Sequence, residues 1–237
     1  MHKNGLAIVI GASQGIGECV AEGLASDGYQ PVLIARNSEK LHRLEERIST
    51  QGYQRPIVCP LDITEYEAAS NVMRDIAALE KPIDIIVHSA AGYVGGTLGE
   101  DVEHFRQILD VNVVAHYAVL KSLIPILKQQ QHGYVFTIAS RAGKYGFPGA
   151  GIYGASKFAL AGLSESLYRE LAPLNIKVTT LCPGWVNTQM AREANTPLQD
   201  DEMIQPEDIL HAIRFLLNLS KNACIKELLI ECTKSIL

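Results

Sequence analysis

The sequence places a phenol and an ammonium one helical turn apart, in the pentapeptide YGASK at residues 153–157. Residues four apart on a helix project together, so Tyr153 and Lys157 would be neighbours if this segment is helical. A free tyrosine has a pKa near ~10, too high for efficient proton transfer at neutral pH, and a nearby ammonium should lower it. The pair could therefore exchange a proton with a substrate. Five residues alone fit an exposed polar pair on an amphipathic helix equally well.

A second motif, GASQGIG, brings Gly11, Gly15 and Gly17 directly after the apolar run LAIVI. A glycine-rich turn between a strand and a helix lets the backbone approach a pyrophosphate, and the free N–H groups of the helix attract the anion. The alternative is a tight turn without a ligand. The strand–turn–helix context favours the dinucleotide site.

These motifs need a scaffold, and the chain alternates short β-branched runs with helix-like segments. Seven runs predict strands: 6–10, 31–35, 56–62, 83–90, 133–140, 176–182 and 226–232. Between the second and third, Leu41, Leu44 and Ile48 share one helical face, with Ser38 as the candidate N-cap. The alternation predicts an α/β fold, a single Rossmann-type doubly wound parallel sheet of about seven strands with helices on both faces, over residues 1–237. Such sheets bind ligands at the carboxyl ends of their strands.

Composition excludes several classes of function. The chain has 237 residues, 47% of them hydrophobic, and a formal net charge of −5 without a long run of lysine and arginine, which argues against a nucleic-acid partner. The longest apolar stretches are too short for a bilayer, and the N-terminus shows no export signal. Five cysteines form no C-x-x-C pair, and seven histidines show no ligand spacing. We expect a cytoplasmic protein with no metal and no membrane partner.

The spacing of the glycine turn and the YGASK segment resemble the short-chain dehydrogenase/reductase family, and the resemblance covers almost the whole chain. The family serine, thirteen positions before the tyrosine, corresponds to Ser140, and the helix asparagine to Asn112 in LDVNVVA. The loop after the sixth strand is present as PGWVNT at 183–188. The acidic residue that meets the adenine is Asp62 in PLDIT. Five elements in the right order are far more specific than any one alone.

The resemblance implies a role for each of these residues. Tyr153 would give its proton to a carbonyl as hydride arrives from the nicotinamide, or take it from the alcohol in reverse. Ser140 would stabilise the substrate oxygen, and Lys157 would also bond the nicotinamide ribose. Asn112 would hold a water that relays the proton from Lys157. The residues expected to contact the cofactor are Gly11, Ser13, Gln14, Gly15, Ile16, Gly17, Arg36, Asp62, Ile63, Ser89, Ala90, Tyr153, Lys157, Pro183, Gly184, Val186 and Thr188.

Three segments depart from the family pattern. Ile10 stands where a threonine is usual, so a side-chain hydrogen bond behind the glycine turn is lost. The segment after the fourth strand reads HSAA (88–91), and only backbone contact with the cofactor is expected there, at Ser89 and Ala90. The C-terminal segment ELLIECTKSIL lacks the usual glycine pair, which argues against the common tetramer.

The end of the second strand predicts which dinucleotide is bound. An acidic residue there would bind the ribose 2′-hydroxyl and repel a 2′-phosphate. This chain has Ala35 followed by Arg36, and arginine matches phosphate in charge and fork geometry. Ser13 could add a hydrogen bond. NADP(H) is the predicted cofactor, and the alternative is that Arg36 is a solvated helix-start residue.

Two functions from different classes fit these features. One is an NADP(H)-dependent carbonyl reductase, or the reverse alcohol dehydrogenase, acting on a small molecule. The other is a non-catalytic dinucleotide-binding sensor or scaffold. The intact Ser140, Tyr153 and Lys157 favour the enzyme, because a sensor does not need the acid.

Two segments are candidates for the substrate pocket, the loop after Ser140 and the polar segment 189–205, which could act as a lid. Tyr145, Phe147, Trp185 and Met190 suggest a partly apolar lining. The sequence does not distinguish beta-ketoacyl thioesters, small ketones, diketones and steroids.

The helices predicted over 105–127 and 153–171 carry apolar residues on more than one face. A helix on one side of a sheet needs only one apolar stripe, so the surplus predicts a further interface. Related enzymes pair these two helices across a two-fold axis, so at least a homodimer is expected, and a homotetramer if the terminal strand also pairs. A helix enclosed within its own domain would give the same pattern.

Overall fold

The computed structural model describes residues 5–235, which contain one seven-stranded sheet in the order β3-β2-β1-β4-β5-β6-β7, with each neighbouring pair parallel. The strands are β1 (Leu6–Ile10), β2 (Gln30–Ala35), β3 (Ile57–Pro60), β4 (Ile83–His88), β5 (Gly133–Ile138), β6 (Ile176–Pro183) and β7 (Glu227–Ile230). The predicted Rossmann-type α/β fold is confirmed. That all of residues 1–237 form a single domain stays a prediction.

Helices connect successive strands across the faces of the sheet. They are α1 (Gly15–Ser26), α2 (Ser38–Thr50), α3 (Tyr66–Ala77), α4 (Val102–Leu109), α5 (Ala115–Gln130), α6 (Gly151–Leu171), α7 (Gln189–Glu193) and α8 (Pro206–Leu217). A π-helical turn, Asp110–Val114, joins α4 to α5, and a 3-10 turn, Arg141–Gly143, follows β5.

The central strand β1 shows why apolar runs form this sheet. All five of its residues are buried, and alternate side chains face opposite sides of a strand. Ala7 and Val9 pack in a core with residues of α1, α2 and α8. Leu6, Ile8 and Ile10 pack in a second core with residues of α3 and α5. From β1 the chain winds outward to β2 and β3, and then returns to β4 on the other side, so a crevice opens between the carboxyl ends of β1 and β4.

The start of α2 differs by one residue from the sequence prediction. The N-cap is Asn37, whose side-chain oxygen accepts a hydrogen bond from the Lys40 backbone N–H at 2.9 Å. Asn37 has extended backbone angles, whereas Ser38 is already the first helical residue, so the prediction of Ser38 as N-cap was wrong. Leu41 and Leu44 are buried on the predicted face.

The helical segment Val102–Gln130, formed by α4, the π turn and α5, runs for 29 residues and is long and apolar enough to cross a membrane by length and composition alone. The sequence was not expected to contain such a segment, because its longest apolar stretches are too short to span a bilayer. Val119, Leu123 and Leu127 are buried in the core beneath the sheet. The core helix of a soluble protein passes the same test, so this segment is weak grounds for a membrane span.

All five cysteines, in the part of the chain that the structure describes, are free thiols. Among the same residues, no group of three or more histidine, cysteine and acidic side chains has the arrangement of a metal site. A cytoplasmic location and the absence of nucleic-acid and membrane partners stay predictions.

Candidate active site

A cleft of about 710 Å³ lies along the carboxyl ends of β1, β2, β4, β5 and β6. Its lining includes every residue that the sequence analysis assigned to cofactor contact, from the glycine turn to Thr188. It also includes Ser140, which follows β5. Asn112 is buried behind the cleft wall, next to the lining residue Val111. The fold therefore brings the predicted residues to one place, while their individual roles stay predictions.

The glycine turn after β1 packs so closely on its neighbours that side chains would not fit. Gly11 has φ 87° and Gly15 has φ 58°, in the left-handed region that favours glycine. A Cβ at Gly11 would lie 2.5 Å from the Ala90 backbone nitrogen, and one at Gly17 would lie 2.2 Å from the Gly11 carbonyl oxygen. No side chain caps the first turn of α1, whose N–H groups border the cleft. This cradle fits the pyrophosphate of a dinucleotide.

The hydroxyl of Ser89 supports the glycine turn. With Ile10 in place of threonine, the expected hydrogen bond behind the turn is missing from that position. Instead, Ser89 donates to the Ile10 carbonyl oxygen twice, from its backbone N–H at 2.9 Å and from its side-chain hydroxyl at 2.9 Å. The segment after β4 therefore fixes the turn through its side chain as well as its backbone.

Ser140 and Lys157 are brought together by a close contact between a turn and a helix. The Ser140 side chain accepts a hydrogen bond from the Ala142 backbone N–H at 3.1 Å, at the start of the 3-10 turn. A Cβ at Gly143 would lie 2.7 Å from the Lys157 carbonyl oxygen, so this turn lies directly on α6. Lys157 is buried, and its ammonium donates to the Ile138 carbonyl oxygen at 3.2 Å.

The predicted Tyr153 and Lys157 are neighbours on α6, but their pKa values differ from the simple expectation. The Lys157 Nζ lies 5.5 Å from the centre of the Tyr153 ring. Burial raises the pKa of Tyr153 to about 12, against an opposing hydrogen bond with Ser140. Burial also lowers the pKa of Lys157 to about 8. The ammonium was expected to lower the tyrosine pKa, but the pKa is raised, because desolvation outweighs the hydrogen bond with Ser140.

Asn112 connects the segment after β4 to α6. Its side-chain oxygen accepts from the Gly92 N–H at 2.7 Å, and its amide donates to the Gly92 carbonyl oxygen at 3.0 Å and to the Ser156 hydroxyl at 2.9 Å. It lies in the π turn, a distortion that is frequent at functional sites. Both amide hydrogens already have protein partners, so a water could form a hydrogen bond only with an oxygen atom of this residue, as the donor. The water-holding role stays a prediction.

The end of the cleft beside β2 carries positive charge. The Arg36 side chain is 79% exposed, and its guanidinium lies 3.9 Å from the Asp62 carboxylate. Burial opposes ionisation of Asp62, but hydrogen bonds from Thr64 and the charge of Arg36 lower its pKa overall. Lys40, which the sequence analysis did not select, also lines the cleft and donates to the Gln14 side-chain oxygen at 2.7 Å. Two cations therefore border the place where a ribose 2′-substituent would lie.

The substrate side of the cleft is lined by aromatic and apolar residues. Phe147, Trp185 and Met190 line it as predicted, whereas Tyr145 is 52% exposed and is not part of the lining. Tyr93 was not predicted, and its ring centre lies 5.1 Å from that of Tyr153. The sequence feature that could have identified Tyr93 is its position three residues after Ala90, in the segment that follows β4.

The segment 189–205 begins with the short helix α7 and is fastened at its base. The Ile204 N–H donates to the Trp185 carbonyl oxygen at 2.9 Å, and the Asn187 N–H donates to the Ile204 carbonyl oxygen at 2.8 Å. Within it, Arg192 pairs with Asp200 at 2.9 Å. Its residues Met190 and Pro197 border the cleft. Movement as a lid stays a prediction.

Comparison with known proteins agrees with this fold and site. The sequence model described as short chain dehydrogenase matches residues 5–199, and the chain belongs to this family. It is an oxidoreductase, and small molecules are the substrates expected of this family. Two similar solved structures contain NADP or 5-hydroxy-NADP, which supports a nicotinamide dinucleotide as the cofactor.

Three relatives illustrate the similarity. The chain is 53% identical to a betaketoacyl-ACP reductase from Bacteroides thetaiotaomicron, with 98% of each chain covered and a TM-score of 0.88. It is 26% identical to an alcohol dehydrogenase from the archaeon Thermococcus sibiricus, solved with 5-hydroxy-NADP, with 97% of each chain covered and a TM-score of 0.87. An uncharacterized oxidoreductase of Staphylococcus epidermidis is 29% identical over 230 residues, 97% of each chain.

Proposed function

We propose that this protein is an NADP(H)-dependent oxidoreductase that interconverts a carbonyl and an alcohol, with Tyr153 as the general acid or base. The observation that carries the proposal is the single cleft in which Tyr153, Ser140 and Lys157 lie beside the glycine turn of a dinucleotide site. A tyrosine with a pKa of about 12 holds its proton at neutral pH and suits the donor role in carbonyl reduction.

Each residue of the proposed site has a physical task. The bound nicotinamide would supply or accept the hydride. Tyr153 would donate its hydroxyl proton to the carbonyl oxygen as negative charge develops there. Ser140 would donate a hydrogen bond to the same oxygen, and the two donors would stabilise the oxyanion. Lys157, held by the Ile138 carbonyl oxygen, would place a positive charge near the tyrosine and favour the phenolate that forms.

The positive end of the cleft supports NADP(H) over NAD(H). Ala35 leaves no carboxylate on the lining at the end of β2, and Arg36 and Lys40 border it with positive charge. A guanidinium forms strong charge-assisted hydrogen bonds with a phosphate. Asp62 lies close to Arg36, and the contact proposed for Asp62 is with the adenine.

Beta-ketoacyl thioesters are the first substrate class to assay. The reductase from Bacteroides thetaiotaomicron shares about half of its residues with this chain over 98% of its length, and Tyr93, Phe147 and Trp185 provide an apolar wall for an acyl group. The experiment measures NADPH oxidation with a panel of beta-ketoacyl thioesters, small ketones, diketones and steroids. Tight NADPH binding with no turnover across the panel would favour a sensor or scaffold instead.

We propose that the protein is at least a homodimer through α5 and α6, since three apolar side chains on this surface are exposed: Val114, Tyr117 and Phe158. Others of the predicted surplus, including Ile108 and Leu120, are enclosed within the fold. We expect light scattering at micromolar concentration to give a dimer mass or higher, and a Tyr117→Ser, Phe158→Ser double variant to give a monomer. Phe215→Ser on α8 is the matched control. A stable wild-type monomer would rule out this use of the surface.

A further inference from the structure

Two buried histidines face each other on the side of the sheet that carries α5 and α6. His88 ends β4 and His116 lies on α5, and neither has more than 1% of its surface exposed. Their ring centres are 4.2 Å apart with an interplanar angle of 80°. Thr137 of β5, fully buried, is the register partner of His88. We call His88, His116 and Thr137 the buried polar cluster.

The buried polar cluster contains polar atoms that no protein group satisfies. Among the described residues, His88 Nε2, both ring nitrogens of His116 and the Thr137 hydroxyl are buried without a hydrogen-bond partner. A buried polar group without a partner is costly, and most such groups in native proteins bond to an ordered water. The cluster thus contains four unpartnered polar atoms on three neighbouring side chains, and each of these atoms carries a desolvation cost.

The cluster lies beside the lysine of the proposed active site. Lys157 donates to the carbonyl oxygen of Ile138, the residue that follows Thr137. Its charge contributes to lowering the pKa of both histidines, although burial is the larger cause, and the pKa of His116 falls to about 3. Both rings are therefore neutral at physiological pH, and each offers one nitrogen as an acceptor.

Besides the two histidines, the titratable groups that act on Lys157 among residues 5–235 come from two elements. Tyr153 approaches it on α6, and Cys182 of β6 acts on its charge. Burial raises the pKa of the Cys182 thiol to about 11, so that group is neutral as well. Nothing in this set supplies a counter-charge for the ammonium at neutral pH, so neutral acceptors must stabilise it.

We propose that the buried polar cluster binds an ordered water that accepts a hydrogen bond from the Lys157 ammonium, which makes His116 and Thr137 positioning residues for that lysine. The water would donate to the neutral imidazoles and form a hydrogen bond with the Thr137 hydroxyl. It would bind the Lys157 ammonium on the side opposite the cleft. The proposal rests on the proposed function for the catalytic importance of Lys157, but not for the presence of the water.

The first test is Thr137→Val, which removes the hydroxyl and keeps the shape of the side chain. If the water is present, valine takes away one of its partners, and we expect the folding equilibrium constant to fall about fivefold or more in denaturant titrations. A high-resolution crystal structure of the wild-type protein should show the water between His116 and Thr137. An unchanged or increased stability of Thr137→Val, with no water at this place, would overturn the proposal whether or not the protein is an active reductase.

The second test reads the coupling to Lys157. Loss of the acceptor disfavours the ammonium and lowers its pKa further, so the alkaline limb of the kcat profile should move from about pH 8 to lower pH, by about half a unit to one unit. His116→Leu should show this shift and His116→Gln, which keeps an acceptor, should largely restore the limb. Thr179→Val is the structural control, because it removes a buried hydroxyl whose partners are Tyr134 and the Ile225 carbonyl oxygen, not Lys157. Equal shifts in all three variants would contradict the coupling.

Discussion

Replacement of Tyr153 by phenylalanine is expected to lower kcat by about 10²–10⁴-fold, the usual contribution of a positioned acid or base. The substitution removes only the hydroxyl that carries the proton. The ring keeps its contact with Tyr93 and its position 5.5 Å from the Lys157 ammonium. NADPH affinity, measured by fluorescence titration, should therefore change little. A loss confined to kcat would identify the residue as the proton donor.

Tyr145→Phe is the matched control for that measurement. It removes the same hydroxyl from a tyrosine that is half exposed and lies outside the cleft lining, so kcat should stay near the wild-type value. If Tyr153→Phe retains more than about a tenth of wild-type kcat, the proposed acid–base role is wrong. A further comparison is Lys157→Ala, which should harm both cofactor affinity and rate, because its charge serves both the ribose and the tyrosine.

The sequence predicted the sheet, and the edge of the sheet at which the motif residues gather, because both depend on local patterns. Five consecutive apolar residues in β1 specify a strand buried on both faces, and strand–helix alternation then leaves few topologies. The motif residues are tied to strand ends, so correct strands put Ser140 and the glycine turn at one edge. The family resemblance supplied the grouping of Ser140 with Tyr153 and Lys157, whose roles stay predictions.

Features that depend on contacts between distant segments could not be predicted in this way. Tyr93 reaches the cleft because the segment after β4 turns toward α6, and Lys40 because α2 begins beside the glycine turn. The pKa of Tyr153 depends on how much water the assembled cleft excludes, a quantity that a pentapeptide does not contain. The pairing of His88 with His116 joins residues 28 positions apart, and no sequence motif connects the HSAA segment that contains His88 with His116.

Cofactor preference is expected to depend on a few exposed charges, so single substitutions should change the affinities for NADPH and NADH to different extents. Arg36→Ala should weaken NADPH binding roughly ten- to a hundredfold, since one charge-assisted contact contributes about 1.5–3 kcal/mol. NADH lacks the 2′-phosphate, so its affinity should change much less. Lys40→Ala should act in the same direction with a smaller effect, because its ammonium is shared with the Gln14 side chain. Dissociation constants for both dinucleotides, measured in the same buffer, check the ratio.

The control for this experiment is Arg43→Ala, which removes an arginine from α2, the helix that follows Arg36. Arg43 is 70% exposed and pairs with Glu39 one turn away, and it is not part of the cleft lining. Its loss changes the net charge by as much as Arg36→Ala does, so a general electrostatic effect would weaken NADPH equally in both variants. A selective loss in Arg36→Ala would require direct contact between the guanidinium and the 2′-phosphate. Equal losses of NADPH and NADH affinity in that variant would instead assign Arg36 to the structure of the β2 end, where it lies 3.9 Å from Asp62.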